Sequence, residues 1–330
     1  MQPIMTTTAE ERGSGVVRLL ARARTGVLYP LVALGALVLW FSLASPYFFS
    51  TANFFNIGRG SAVLLLVALA GTVAILVGSI DLSVAGIVTL TGVVVAWFID
   101  DLGLGLALLI ALVVGAFVGL LNGLVVQLLR IPSFLVTLGM LSITMGVAAA
   151  LNNNAPVHFR DPSLGQLVNG DVLGVPNVIL FPLIVMAIMT FIVFRTKVGR
   201  HLYAIGGGEA VAKASGVAVE RYKVGAFVAS GLLCALAGIV ITGQIGAGTL
   251  DVGGSLLLDS VAAVVMGGTA LSGGIGGPHR TLLGVLVIAV LGNGMGMLGF
   301  TDFVQNIIKG AVIIAAVALS IDRQKYGIIK

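Results

Sequence analysis

The apolar residues of this chain come in long, unbroken blocks. They fall at about 27–45, 58–78, 84–99, 103–129, 131–151, 177–194, 223–243, 255–271, 281–299 and 303–321. A helix rises about 1.5 Å per residue, so a hydrocarbon core of about 30 Å is crossed by about 20 residues. The blocks predict ten spans, of which the third and eighth are short. No stretch alternates apolar and polar positions over strand length, which argues against a transmembrane barrel. The expected architecture is an all-α integral membrane protein of about ten transmembrane helices, some of them broken or re-entrant. It divides into a tail at 1–26, a membrane domain at 27–321 and a second tail at 322–330.

The polar punctuation between blocks predicts the orientation. With the N-terminus in the cytoplasm, Arg12, Arg18, Arg22, Arg24, Arg130, Arg195, Lys197, Arg200, Lys213, Arg221, Lys223, Arg280, Arg323, Lys325 and Lys330 all lie inside. Only Arg59 and Arg160 lie outside, together with Asp100, Asp101, Asp161, Asp171 and Asp302. Positive charge collects on the cytoplasmic side of membrane proteins, so both termini are expected there. The arginines ahead of the run at 27–44 also suit a signal peptide, and Ser42, Leu43 and Ala44 faintly resemble a cleavage site. The run is long for that role and many spans follow it, so it reads as an uncleaved first helix.

Three ionisable residues fall inside or between spans: Asp81, Asp259 and Lys309. Such residues are functional-site candidates by default. Asp81 sits in GSIDLSVAG (Gly78–Gly86), the one charge between Arg59 and Asp100. The second span arrives from outside and the third leaves from inside, so this stretch is a reversal near the cytoplasmic edge. Gly78 suits the end of the incoming helix, and Asp81 or Ser79 suits the cap of the outgoing one. A cap and a gate at the mouth of a pathway are both open readings. Asp259 suits either a cap on the eighth span or a partner for Lys309, whose long stem also suits snorkelling to the interface. Gly115, Gly119 and Gly123 form a double G-x-x-x-G on the fourth span, with Asn122 beside it. That pattern is foremost a helix-packing face.

Composition sharpens this picture. Charged residues make up 9% of the chain and hydrophobic ones 58%, against about 25% charged in a soluble domain. Its mean hydropathy is +1.13. Lipid must be the main solvent. The 46 glycines suit close helix packing in lipid. The single cysteine, Cys234, excludes an internal disulfide. There is no G-x-x-x-x-G-K-[ST] loop, so the chain has no P-loop route to ATP hydrolysis. His158, His201 and His279 are the only histidines and none has metal-ligand spacing. No nucleophile has a plausible base beside it, which leaves a membrane-embedded enzyme without a constellation. No cofactor and no metal is expected in this chain.

Two loops stand out. The outer one, 152–176, is rich in Asn, Gly and Pro and reads as an irregular lid or docking surface. The inner one, 195–223, contains GRHLYAIGGGEAVAKASGV. Here Gly206, Gly207 and Gly208 break the chain, and a short helix of small residues follows. Glu209 suits its positive N-terminal end, Lys213 follows at i+4, and Gly216 is placed to stop it. A small-residue helix between glycine breaks is a rigid knob. An amphipathic linker on the membrane is the competing reading, and its weak apolar face argues against deep insertion.

This loop resembles the coupling segment of bacterial ATP-binding cassette (ABC) importer permeases of the monosaccharide class, the ribose, xylose and arabinose type. The family pattern GR…YAIGGNEEAARLSGI is similar to Gly199–Val217 here, and its GGIDLSVG is similar to GSIDLSVAG. GGTALSGGIGG (Gly267–Gly277) and LGNGMGMLGF followed by IIKG (Leu291–Gly310) complete the resemblance, which covers nearly the whole chain after the N-terminal tail. Gly208 stands where the family usually has Asn, and Ala210 replaces a second acid.

The resemblance implies a permease subunit of the bacterial inner membrane that is not itself an enzyme. Two copies, or one copy with a related permease, form the pore. A separate cytoplasmic ATPase binds ATP and magnesium, and a periplasmic sugar-binding protein delivers the substrate. Gly206, Gly207, Gly208, Glu209, Ala210, Lys213, Ala214 and Gly216 are the implied coupling residues. A sugar or polyol pathway is polar but largely uncharged, and Asp81, Ser83, Asn122, Ser133, Phe134, Thr137, Gln244 and Asn293 are the candidates for it. The rival reading is an ion-coupled secondary transporter, which shares broken helices near the midplane but has no use for a docking knob.

Overall fold

The structure is a computed structural model and describes residues 9–320; the expected tail at 322–330 lies outside them. The chain is built of helices. α1 (Ala9–Ala44), α2 (Thr51–Leu76), α3 (Val84–Leu129) and α4 (Ser133–Asn152) make up the first half. The outer loop follows as β1 (Val157–His158), α5 (Ser163–Asn169), β2 (Asp171–Val172) and β3 (Val175–Pro176). The second half is α6 (Asn177–Arg195), α7 (Lys197–Gly207), α8 (Glu209–Ala214), α9 (Val219–Ile245), β4 (Ala247–Gly248), α10 (Gly253–Met266), α11 (Pro278–Met297) and α12 (Asp302–Ser320). Among the described residues, seven helices are long and apolar enough to cross a membrane. This is an all-α membrane protein.

α3 is one element by hydrogen bonding but two by geometry. At 46 residues it would be about 69 Å long as a straight helix, far more than one span needs. Gly103 interrupts it with φ 74° and ψ 167°, a conformation that favours glycine. In the second half, Gly115 packs on Gly231, Gly119 on Phe227 and Gly123 on Val224, so this half runs down α9 as its numbering rises. In the first half, Gly92 packs on Gly238 and Thr242, whereas the preceding Asp81 meets Ser230. That half runs up α9. The third and fourth apolar blocks are therefore an antiparallel pair on opposite sides of Gly103.

α9 and α2 are the core. The apolar window of α2 is 83% buried, and Leu66–Ala70 have no exposure at all. The corresponding windows of α1, α4 and α6 are 11%, 17% and 17% buried, so these helices present most of their apolar surface outward. Glycine makes the inner contacts close. A Cβ at Gly115 would stand 2.6 Å from the Gly231 carbonyl oxygen, and one at Gly119 would collide with that of Phe227. The double G-x-x-x-G is thus a packing face for α9, and the buried Asn122 lies on the same helix.

Several boundaries differ from those expected. α2 begins at Thr51 because Ser50 caps it, accepting the Asn53 N–H at 3.2 Å. α10 ends at Met266, where Gly267 and Gly268 turn the chain, so the eighth block is shorter than its apolar run. The outer loop is more ordered than an irregular lid. β1 pairs antiparallel with β4, Val157 opposite Gly248, and β2 pairs with β3, Asp171 opposite Pro176. α5 packs Leu164 and Val168 toward Gly243 of α9. Asp100 Oδ1 accepts the Arg160 and Asp161 N–H groups at 2.9 Å each and ties this cap to the turn near Gly103.

Candidate functional site

The reversal after α2 is held by its own backbone and by three neighbouring helices. Gly78 takes φ 72°, and its N–H donates to the Ile75 carbonyl at 2.9 Å while Ser79 N–H donates to Ala74 at 3.0 Å. Gly78 thus ends the incoming helix as expected. Asp81 Oδ1 accepts from Ser83 N at 3.0 Å and from Ser83 Oγ at 2.6 Å. Its Oδ2 accepts from Ser230 Oγ of α9 at 2.7 Å. Asp81 thus does not cap α3: it holds Ser83, the N-cap residue, by its N–H and hydroxyl, and neither Asp81 nor Ser79 accepts a free N–H of the helix among the described contacts.

The network spreads to α4 and to the far half of α3. Ser83 Oγ accepts from Asn122 Nδ2 at 2.8 Å. Ile80 N–H donates to Ser133 Oγ, and Leu82 N–H to Thr137 Oγ1, each at 3.0 Å. Asp81 is 4% exposed, and Ser83, Asn122, Thr137 and Ser230 are fully covered. A buried carboxylate is tolerated only when its acceptor sites are satisfied, and here three donors supply them. Asn122 Oδ1 is buried without a hydrogen-bond partner among the described residues.

Five of the eight pathway candidates therefore converge, and three do not. Asp81, Ser83, Asn122, Ser133 and Thr137 form one cluster, but their polar atoms serve each other and the loop backbone. Phe134 is 46% exposed on the outer side of α4. Asn293 lies near the opposite end of the bundle, donating to Asn53 Oδ1 at 2.9 Å, a staple between α11 and α2. Gln244, at the end of α9, reaches only the Arg59 carbonyl at 3.4 Å. The cluster's missing member was Ser230, which no local signal marked because it lies 149 residues from its partner.

The coupling segment also departs in detail. Gly206 and Gly207 continue α7 to its end; the break falls at Gly208 alone, whose N–H bonds back to Ala204 and Ile205. α8 follows and stops at Gly216, φ 82°, with Gly216 N–H on Lys213 O and Val217 N–H on Ala212 O. Glu209 and Lys213 do not pair with each other. Glu209 Oε2 takes Lys223 Nζ at 2.6 Å, and Lys213 Nζ reaches Glu220 Oε1 at 2.5 Å, so two ion pairs staple α8 to the start of α9. Ala212 is the buried seat of the knob, while Ala210, Val211 and Ala214 are exposed, Val211 at 71%. Behind it, Tyr203 Oη donates to the Gly276 carbonyl at 2.6 Å, and burial pushes its phenol above the ordinary tyrosine value.

Asp259 is not a cap. It lies within α10, whose N-cap is Val252, and its Oδ2 receives Lys309 Nζ of α12 at 2.9 Å. Neither residue adjoins the Asp81 cluster. Among the described residues no group of His, Cys, Asp and Glu is placed to hold a metal ion.

The sequence has known relatives. The family described as branched-chain amino acid transport system / permease component matches residues 53–317. The probable ABC transporter permease protein YphD of Escherichia coli (strain K12) is 38% identical over 292 residues, 88% of each chain. Ribose import permease protein RbsC of the same organism is 36% identical, covering 89% of this chain and 93% of its own. The D-allose transport system permease protein AlsC, also of that organism, is 33% identical over 84% of this chain and 86% of its own. No solved structure matches this chain.

Proposed function

The chain belongs to the branched-chain amino acid transport system / permease component family of ABC transporter permease subunits, which are not themselves enzymes, and from that premise we propose that it carries a monosaccharide or related polyol across the bacterial inner membrane. A periplasmic binding protein hands over the substrate, and a separate cytoplasmic ATPase, which binds ATP and magnesium, drives alternating access. A second copy or a paralogue completes the pore. The sugar class is favoured by the relatives, two of which are named for ribose and allose.

The observation that carries this reading is α8. It is a six-residue helix with exposed small and apolar residues, stapled by two ion pairs to a helix that crosses the core. A push on α8 is a push on α9, and α9 holds Asp81 through Ser230. In this reading ten crossings, with both termini inside, put α8 in the cytoplasm and the β1–β4 cap outside.

Ion coupling is disfavoured by the acids. Asp81 is occupied by three donors and Asp259 by Lys309, which leaves neither carboxylate free to take up an ion. The test is co-purification with the partner ATPase. Wild-type chain retains the ATPase, and Val211→Glu, which places a charge on the exposed tip, releases it without changing the chain's own thermal stability. Retention by Val211→Glu at the wild-type level would remove α8 as the docking element.

A further inference from the structure

Two stretches far apart in the chain repeat each other. Thr89–Val95 reads TLTGVVV and Thr281–Val287 reads TLLGVLV. Each follows a helix that ends in the same turn. At the end of α10, Gly268 N–H donates to Val265 at 2.9 Å and Thr269 N–H to Val264 at 3.2 Å, the same offsets as Gly78 to Ile75 and Ser79 to Ala74 after α2. Gly78 and Gly268 both take left-handed φ, 72° and 82°. These paired bonds around a left-handed glycine form a common helix-ending motif, found also at Gly216 and Gly299, so it is the sequence repeat that sets these two reversals apart.

The two reversals touch. Gly274 N–H donates to the Leu76 carbonyl at 3.2 Å, and Thr72 and Thr281 share a hydroxyl hydrogen bond at 2.6 Å. The end of α7 is wedged against both. A Cβ at Gly206 would collide with the Leu76 carbonyl oxygen and with Gly274 N, and would stand 3.0 Å from Gly273 C. A Cβ at Gly273 would stand 2.8 Å from Gly78 N, and one at Gly274 would stand 2.6 Å from Gly207 N. Tyr203 adds the bond to Gly276 on the second reversal.

We infer that Tyr203 and Gly206 are positioning residues that pass a displacement of α7 and α8 to both reversals at once. The inference rests on α8 being the docking element. Backbone packed on backbone has no side chain that can change rotamer and absorb a shift, so movement at Gly206 must appear at Leu76 and Gly274. From the first reversal it reaches Asp81, and with it α9 and α4. From the second it reaches α10 and α11. One element suffices because the end of α7 packs on Leu76 in the first reversal and on Gly273 and Gly274 in the second.

The experiment uses the assembled complex with its ATPase and binding protein in proteoliposomes, with D-ribose as the probe. The readout is sugar moved per ATP hydrolysed. Tyr203→Phe removes one hydroxyl and keeps the ring; it lowers that ratio about fivefold or more, within the usual range of allosteric coupling, while ATPase retention and thermal stability stay at wild-type levels. Gly206→Ala lowers it further if it assembles. A merely structural role would lower transport and hydrolysis together and leave the ratio unchanged. An unchanged ratio in Tyr203→Phe overturns the inference. Failure of the wild-type complex to hydrolyse ATP in response to loaded binding protein instead overturns the proposed function.

Discussion

Lys309 Nζ on α12 lies 2.9 Å from Asp259 Oδ2 on α10, with the two side chains 17% and 16% exposed. A partly covered pair of this kind serves as a lock between helices. Removing one partner of a buried pair costs about 3–5 kcal/mol because the other charge is stranded. With residual exposure, Lys309→Met is expected near the lower end, about 3 kcal/mol. The double change Lys309→Met with Asp259→Leu recovers most of that loss in thermal unfolding. Equal losses in the single and double variants would show that the pair does not act as a unit.

The Asp81 network predicts a split between two substitutions. Asp81→Asn keeps an acceptor for the Ser83 N–H and can donate to Ser230, so the reversal holds and the complex assembles. Asp81→Ala strands donors on Ser83 and Ser230, at about 1–3 kcal/mol for each unsatisfied buried group. The check is thermal stability in detergent, run beside transport. If Asp81→Asn is stable but transport-dead, the carboxylate has a role beyond holding the reversal.

Glycines on the two faces of this bundle should behave oppositely. Gly119→Ala drives a methyl into the Phe227 carbonyl and loses about 1–3 kcal/mol by overpacking or prevents folding. Gly139 has open space at its Cβ position, and Gly139→Ala is neutral or slightly stabilising through helix propensity. Yield and melting temperature of the two variants decide this.

Much of this was legible in the chain. The GSIDLSVAG reversal, the short α8 with its Gly216 stop, and the double G-x-x-x-G each follow from residue types at short spacing. What escaped was long-range. Ser230 has nothing in its neighbourhood to mark it as the partner of Asp81, and Thr72 meets Thr281 across 209 residues. An amide in an apolar block such as Asn293 fits either a pore or a staple, and its partner Asn53, 240 residues away, is not marked by local sequence. Helical spacing sets Lys213 four residues after Glu209, but the two charges pair instead with Glu220 and Lys223 of α9, which local spacing does not carry. The order of the outer loop came from pairing with β4, ninety residues on, which local composition does not carry.

Orientation can be measured directly because the sole cysteine, Cys234, is fully buried. A cysteine at Leu173, 99% exposed at the tip of the β2–β3 hairpin, reacts with an impermeant thiol reagent in intact cells. A cysteine at Val211 reacts only after lysis. The reverse pattern would invert the topology.

ATP-driven import through this chain is read out by reconstituted uptake. Proteoliposomes holding the permease and its ATPase, with ATP inside the compartment that α8 faces, are given binding protein loaded with radiolabelled D-ribose, D-allose or a branched-chain amino acid. The expected result is accumulation of a sugar that requires ATP and binding protein and is indifferent to sodium and proton gradients. Accumulation driven by an ion gradient without ATP, or by the amino acid alone, would contradict it.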